Sequence, residues 1–219
     1  MSESCLIIGA GPGIGQACAL AFAREGYHIG LIARRPERLI AQTTEIAWTT
    51  GRSARAYGAD AADVDALHEA LRAAQIDLGP ARVLIYNVAE VQRARPITLD
   101  PEQLVREFRT NVVGALASVQ ALVPAMRIQG RGTILFTGGG MADHPSADYA
   151  SLSLCKAALK SLTHTLAQDL GGHGIHVATV TVHGYVQSGT YFDPHLIAQS
   201  FIKLHRQPRG HFDIELAYK

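Results

Sequence analysis

Six short apolar runs, each followed by a stretch of helix-forming composition, and a seventh that closes the chain, restrict what these 219 residues can fold into. The runs fall at residues 6–8, 29–33, 54–58, 83–86, 133–137, 176–182 and 212–217. Helical stretches lie between them at 16–25, 37–49 and 63–76. Another starts near the Asp100-Pro101 capping pair, a long apolar one covers 111–129, and two more cover 150–170 and 194–204. Strands that are apolar throughout must be covered on both faces, and parallel neighbours need crossover helices. The pattern therefore predicts an α/β fold: a single doubly wound, mostly parallel sheet of about seven strands, with helices on both faces. Residues 1–219 are expected to form one domain.

Composition removes several classes of function. An apolar fraction of 47% and a charged fraction of 18% fit an ordinary globular domain better than a disordered segment or a membrane bundle. Twenty basic and nineteen acidic residues leave a net charge of +1, too balanced for nucleic acid or a membrane surface to be the main partner. The opening Met-Ser-Glu-Ser has no basic region, and the apolar run after it meets glycines within a few residues. Neither signal peptide nor membrane anchor is expected, and the cytoplasm is the expected compartment. Cys5, Cys18 and Cys155 are odd in number and widely spaced, with no Cys-x-x-Cys pair. They predict buried reduced thiols, with no disulfide framework and no metal site.

In parallel sheets ligands bind beyond the carboxyl ends of the strands. The first such turn, Gly9-Ala-Gly-Pro-Gly13-Ile14-Gly15, runs directly from strand into helix. Glycines let the backbone approach a pyrophosphate, whose charge is stabilised by free N–H groups and the positive end of the helix dipole. The bland alternative is a turn needed only for tight packing. After the second strand, where an acid would hold a ribose 2′-hydroxyl, the chain instead reads Ala33-Arg34-Arg35. Guanidinium groups suit a 2′-phosphate, so NADP(H) is expected in preference to NAD(H), with Arg34 the first contact and Arg35 the second. A solvated basic loop is the competing reading.

The spacing Gly-x-x-x-Gly-x-Gly resembles that of the short-chain dehydrogenase/reductase family, and further elements resemble it in the same order. Asp60 after the third strand resembles the acid that meets the adenine. Asn87 in Tyr-Asn-Val-Ala resembles the Asn-Asn-Ala-Gly element after the fourth. Asn111-Val-Val-Gly114 looks like the active-site asparagine segment, and Lys156-Ala-Ala-Leu like the stretch that holds the catalytic lysine. His183-Gly184-Tyr-Val186 looks like a variant of the Pro-Gly segment after strand six. The resemblance covers nearly the whole chain. It implies a Rossmann-like fold and a small-molecule carbonyl or alcohol substrate. It also implies a dinucleotide held by Gly9, Gly13, Ile14, Gly15, Asp60, Asn87, Lys156, Gly184 and Val186, beside the two arginines.

The catalytic set departs from that pattern. In the resembled family a tyrosine four residues before the lysine protonates the substrate oxygen, and a serine about thirteen residues earlier holds it. Four residues before Lys156 stands Leu152, and thirteen before that stands Gly139, so both hydroxyls are missing. Tyr149 is the nearest substitute. Seven residues of regular helix would place it about 10.5 Å from Lys156 along the axis, leaning away from it, unless the backbone before Ser151 is irregular. His144, Asp148, Ser151, Ser153 and His183 are weaker candidates, each better explained by a loop role, and Thr137 is equally explained by β propensity at its strand end. The expected catalytic residues are thus Asn111, Lys156 and Tyr149. With the tyrosine lost, Lys156 could be a cofactor ligand alone and Asn111 a shaper of its helix.

Two readings stay open. One is an NADP(H)-dependent oxidoreductase with a non-standard general acid; the other is a cofactor-binding protein without turnover, acting as sensor, scaffold or partner subunit. Only about twenty-five residues separate Gly184 from the final strand, leaving little chain for a lid. Helices rich in small apolar residues at 112–129 and 150–170 fit burial against the sheet and, as the resemblance implies, a homodimer or homotetramer.

Overall fold

The computed structural model describes residues 3–219. Its seven strands are β1 (Ser4–Ile8), β2 (His28–Ala33), β3 (Ala54–Gly58), β4 (Ala81–Tyr86), β5 (Gly132–Gly139), β6 (Ile175–Val182) and β7 (Glu215–Tyr218). They form one sheet in the order β3-β2-β1-β4-β5-β6-β7, and every neighbouring pair is parallel. The helices are α1 (Ile14–Arg24), α2 (Ile40–Thr50), α3 (Val64–Leu78), α4 (Pro101–Phe108), α5 (Gly114–Gln129), α6 (Ala150–Leu170) and α7 (Pro194–His205).

Alternation along the strands divides the core in two. Cys5, Ile7, Ile29, Leu31, Val83 and Ile85 pack on one face with α1, α7 and Ile46 of α2. Leu6, Ile8, Ile32, Leu84, Tyr86 and Phe136 pack on the other with α3, α5 and α6. Each such side chain contributes roughly 1.5–3 kcal/mol on leaving water, so neither layer of helices is dispensable. All three cysteines are buried and unpaired.

Several boundaries move for identifiable reasons. The second helix starts as a 3-10 turn over Pro36–Leu39, because proline fixes the first position, and becomes α-helical only at Ile40. The stretches starting at 101 and 111 are continuous, joined by a π turn over Arg109–Val113. The run Pro101–Gln129 is by length and composition apolar enough to cross a membrane. Its buried positions Ala115, Val119, Leu122 and Met126 pack on the sheet, which accounts for that character. The last strand is shorter than 212–217, because Phe212 instead stacks on the His176 ring at 4.3 Å.

Strand order reverses at β1, whose partners are β2 and β4. The crevice outside the carboxyl ends of the strands at such a reversal is where doubly wound sheets take ligands.

Candidate active site

The crevice has two chambers. The first, about 320 Å³, is lined by Gly9, Ala10, Arg34, Asp60, Asn87 and Glu90, among others. Gly9 adopts φ +80°, and a Cβ there would lie 2.8 Å from the backbone of Asn87, so no other residue fits. Gly13, at φ +106°, is the N-cap of α1 and supplies no side-chain cap, which leaves the Ile14 and Gly15 N–H groups open, while the Gln16 N–H donates to the Gly11 carbonyl at 3.2 Å. A helix terminus opened in this way is of the kind that can receive an anion. Asn87 donates from Nδ2 to the Gly9 carbonyl at 3.1 Å and from its backbone to Ile8 at 2.8 Å, stapling β4 to the glycine turn. Asp60 accepts from the Ala62 N–H at 3.0 Å, which fixes its carboxylate at the groove wall. Arg34 lines the groove and is exposed, whereas Arg35 is exposed but lies outside the lining.

Glu90 was missed in the sequence. It lines the groove and its carboxylate accepts from the Thr110 hydroxyl at 2.8 Å. The signal was legible: it occupies the fourth place of Asn87-Val-Ala-Glu90, where the resembled element has glycine.

The second chamber, about 570 Å³, brings together Thr137, Gly139, Tyr149, Leu152, Lys156 and His183. Ile14, Gly184 and Val186 also line it. Lys156 is buried and donates from Nζ to the Thr137 carbonyl at 2.8 Å. Burial pulls its pKa down to about 8, partly opposed by the Cys155 thiol.

Tyr149 reaches this chamber because it is not helical. It is the N-cap of α6, at φ −131° and ψ 52°. A parallel bridge to Ala94 holds it there, through Ala94 N–H to Asp148 O at 3.0 Å and Ala150 N–H to Ala94 O at 3.2 Å. Ser153 accepts from the Ser146 N–H at 3.0 Å and donates to the Tyr149 carbonyl at 2.9 Å, and Arg93 pairs with Asp148 at 2.9 Å. Ser153 and Asp148 therefore brace the turn, and the regular-helix distance expected for Tyr149 does not apply. Ser151 is buried on α6.

Leu152 and Gly139 stand where the resembled family has tyrosine and serine, and both line the chamber. Gly139 is extended, at φ −154°, and a Cβ there would meet the Lys156 methylenes at ordinary contact, 3.6 Å. Nothing in the packing demands glycine at 139. Gly140 differs: a Cβ would lie 2.7 Å from His183 Nδ1. The Thr137 hydroxyl donates to Asn87 Oδ1 at 2.7 Å, so its proton is committed away from any substrate.

His183 is held by its N–H to the Tyr218 carbonyl at 2.9 Å, with Nε2 3.9 Å from Asp143. The His144 ring stands 6.4 Å from it. A hydrogen bond from Lys160 at 2.7 Å holds the Asp143 carboxyl below its ordinary value.

Asn111 lies in neither lining. It is buried on the π turn, accepts from the Glu90 N–H at 2.9 Å and donates to the Glu90 carbonyl at 3.1 Å. Both ends of its amide are spent on one loop residue, so its side chain positions the groove wall and does not reach a substrate.

Residues 3–191 match the short chain dehydrogenase family. The chain is 30% identical over 176 residues to 2,3-dihydro-2,3-dihydroxybenzoate dehydrogenase of Bacillus subtilis, covering 80% of this chain and 67% of that protein. It is 34% identical over 181 residues to the very-long-chain 3-oxoacyl-CoA reductase of Emericella nidulans, covering 80% and 51%. A metagenomic short-chain oxidoreductase solved in complex with NADP superposes with a TM-score of 0.90 at 26% identity, covering 99% of this chain and 97% of that one. The match spans between 51% and 69% of the curated relatives' own lengths. Fold, glycine turn and profile agree: the chain belongs to the short-chain dehydrogenase/reductase family of NAD(P)-dependent oxidoreductases.

Proposed function

We propose that this chain is an NADP(H)-dependent reductase or dehydrogenase of a carbonyl/alcohol pair, with Tyr149 as its general acid. The observation that carries this reading is that Tyr149 and Lys156 line one chamber, which the non-helical backbone at Tyr149 makes possible. When bound, the cofactor supplies or accepts the hydride.

The residues fit such a cofactor. Gly9, Gly13, Ile14 and Gly15 would receive the pyrophosphate at the α1 terminus. Asp60 and Asn87 would line the adenosine side, and Gly184, Val186 and Lys156 the nicotinamide side. Arg34 supports NADP(H), since its guanidinium is a fork for a 2′-phosphate; Arg35 would reach only from outside the groove. In the reducing direction the Tyr149 phenol gives its proton to the carbonyl oxygen, and the Lys156 ammonium stabilises the phenolate left behind. Asn111 keeps Glu90 in place in the wall of the first chamber.

A second reading has a specific observation behind it. Leu152 and Gly139 carry no hydroxyl and the Thr137 proton is spent on Asn87, which favours a cofactor-binding protein without turnover. NADPH absorbance over a panel of aldehydes, ketones and alcohols decides between them, run beside Lys156→Ala and Tyr149→Phe. Turnover lost in both variants supports the reductase; cofactor binding with no turnover on any compound supports the binder. Exposed Val105, Phe108 and Leu154 on α4 and α6 support association into a homodimer or homotetramer, and the cytoplasm is the proposed compartment.

A further inference from the structure

The substrate chamber is nearly free of charge, and that restricts what can enter it. No arginine and no carboxylate lines it among the described residues, and its one charged group is Lys156. That ammonium is buried, donates to the Thr137 carbonyl, and in the proposed reaction stabilises the Tyr149 phenolate, so it is committed before a substrate anion arrives. Other polar side chains of the wall include the Tyr149 phenol and the imidazoles of His144 and His183, which can share a hydrogen bond with a carbonyl or hydroxyl. Any charge on His183 would face Asp143, which is 3.9 Å away.

Apolar side chains supply the rest. Met141 and Val182 line the chamber together with Leu152, which puts a branched alkyl group where the family pattern has a phenol. Tyr185 stands at the mouth, 85% exposed, offering a ring face to whatever enters. The nucleotide groove contrasts with this, having Arg34, Asp60 and Glu90 in its walls. A substrate carboxylate or phosphate would lose its water in the chamber and gain no cation in return.

We propose that the chamber takes an uncharged carbonyl or alcohol compound with an apolar, ring-bearing body, and discriminates against carboxylated or phosphorylated analogues. The chamber measures about 570 Å³, and the nicotinamide would take the part of it at Gly184 and Val186, which leaves the part at Met141, Leu152 and Tyr185 to the substrate. The inference rests on the reading of this chamber as the substrate side of the proposed reductase.

The test pairs 2-acetylnaphthalene with its carboxylated twin, 6-acetyl-2-naphthoate. Ligand-observed NMR titration of the full chain, with and without NADP+, measures each affinity. The neutral ketone is expected to bind at least tenfold more tightly, on the order expected for an unpaired buried charge. Val91 lines the same chamber on a half-exposed loop position, so Val91→Arg supplies the missing cation without disturbing the core. That variant is expected to narrow the gap at least about fivefold by tightening the carboxylate, on the order expected of a partly exposed ion pair. Equal or tighter binding of the carboxylate to the unaltered protein, or no binding of either compound, overturns the proposal. Consumption of NADPH is read on parallel samples in which NADPH replaces NADP+, so that the ketone has a hydride donor. Selective binding of the neutral ketone, without turnover of it or of any compound of the panel, upholds the ligand class and refutes the reductase reading alone.

Discussion

The groove at the glycine turn and the chamber around Lys156 both lie at the carboxyl end of the sheet but are specified by different physics. In the groove the backbone dictates the residue: Gly9 needs φ +80° and sits against the Asn87 backbone, and Gly13 opens the helix terminus at φ +106°. Almost any substitution there is strained before chemistry is considered. In the chamber side chains decide. Gly139 is extended with room for a Cβ, and the identity of residue 152 is not fixed by the backbone. A fold of this kind can therefore exchange its reactive groups while its cofactor cradle stays rigid.

That contrast can be broken in several ways. Lys156→Ala is expected to have the largest effect, a loss of about a thousandfold in NADPH-linked turnover, since the residue is proposed both to hold the nicotinamide side of the cofactor and to stabilise the Tyr149 phenolate. Activity should also fall as pH rises through about 8, where Lys156 loses its proton. Its lowered pKa has the opposite consequence for the cofactor-free protein. Below about 8 the buried charge costs stability in full; between there and the ordinary lysine value the cost is relieved, so thermal stability should rise over that window. Lys156→Met should flatten the rise.

Tyr149→Phe comes next, with a loss of about a hundredfold in kcat and unchanged cofactor affinity by calorimetry. An unchanged kcat would remove Tyr149 from the chemistry and leave the chamber without an acid. Arg34→Asp tests the other half: NADPH affinity should drop about thirtyfold and NADH affinity hardly at all. Equal losses would show that the groove does not read the 2′-phosphate. The paired change Gly139→Ser with Leu152→Tyr writes the two family hydroxyls back and should raise carbonyl reduction about tenfold. Asn111→Ala should be the mildest for chemistry, costing about 1–3 kcal/mol of stability by leaving the Glu90 backbone groups unpaired, seen as a lowered Tm.

Much of this molecule was legible from its residues, for reasons that differ by region. Strands such as 54–58 and the helix at 150–170 follow from apolar periodicity, which long-range packing did not override. The cradle was legible because glycine spacing encodes backbone angles. Tyr149 was harder. Counting along a regular helix puts it two turns from Lys156, and the bridge to Ala94 that makes it irregular joins segments fifty-five residues apart (149 − 94). The role of Asn111 was half legible: its backbone-directed bonding was expected, but the partner, Glu90, lies across the crevice wall and leaves no mark in local sequence. The small change at the end of the sheet, with Phe212 leaving the ladder for His176, is likewise a tertiary choice.

The loop after β4 touches both chambers. Asn87 and Glu90 line one, Val91 lines the other, and Ala94 fastens the backbone of Tyr149. Settling this loop around a nucleotide would thus finish the wall on which the second molecule lands. Steady-state patterns should accordingly show a compulsory sequence of arrival, dinucleotide before organic substrate, with the alcohol-side product leaving first.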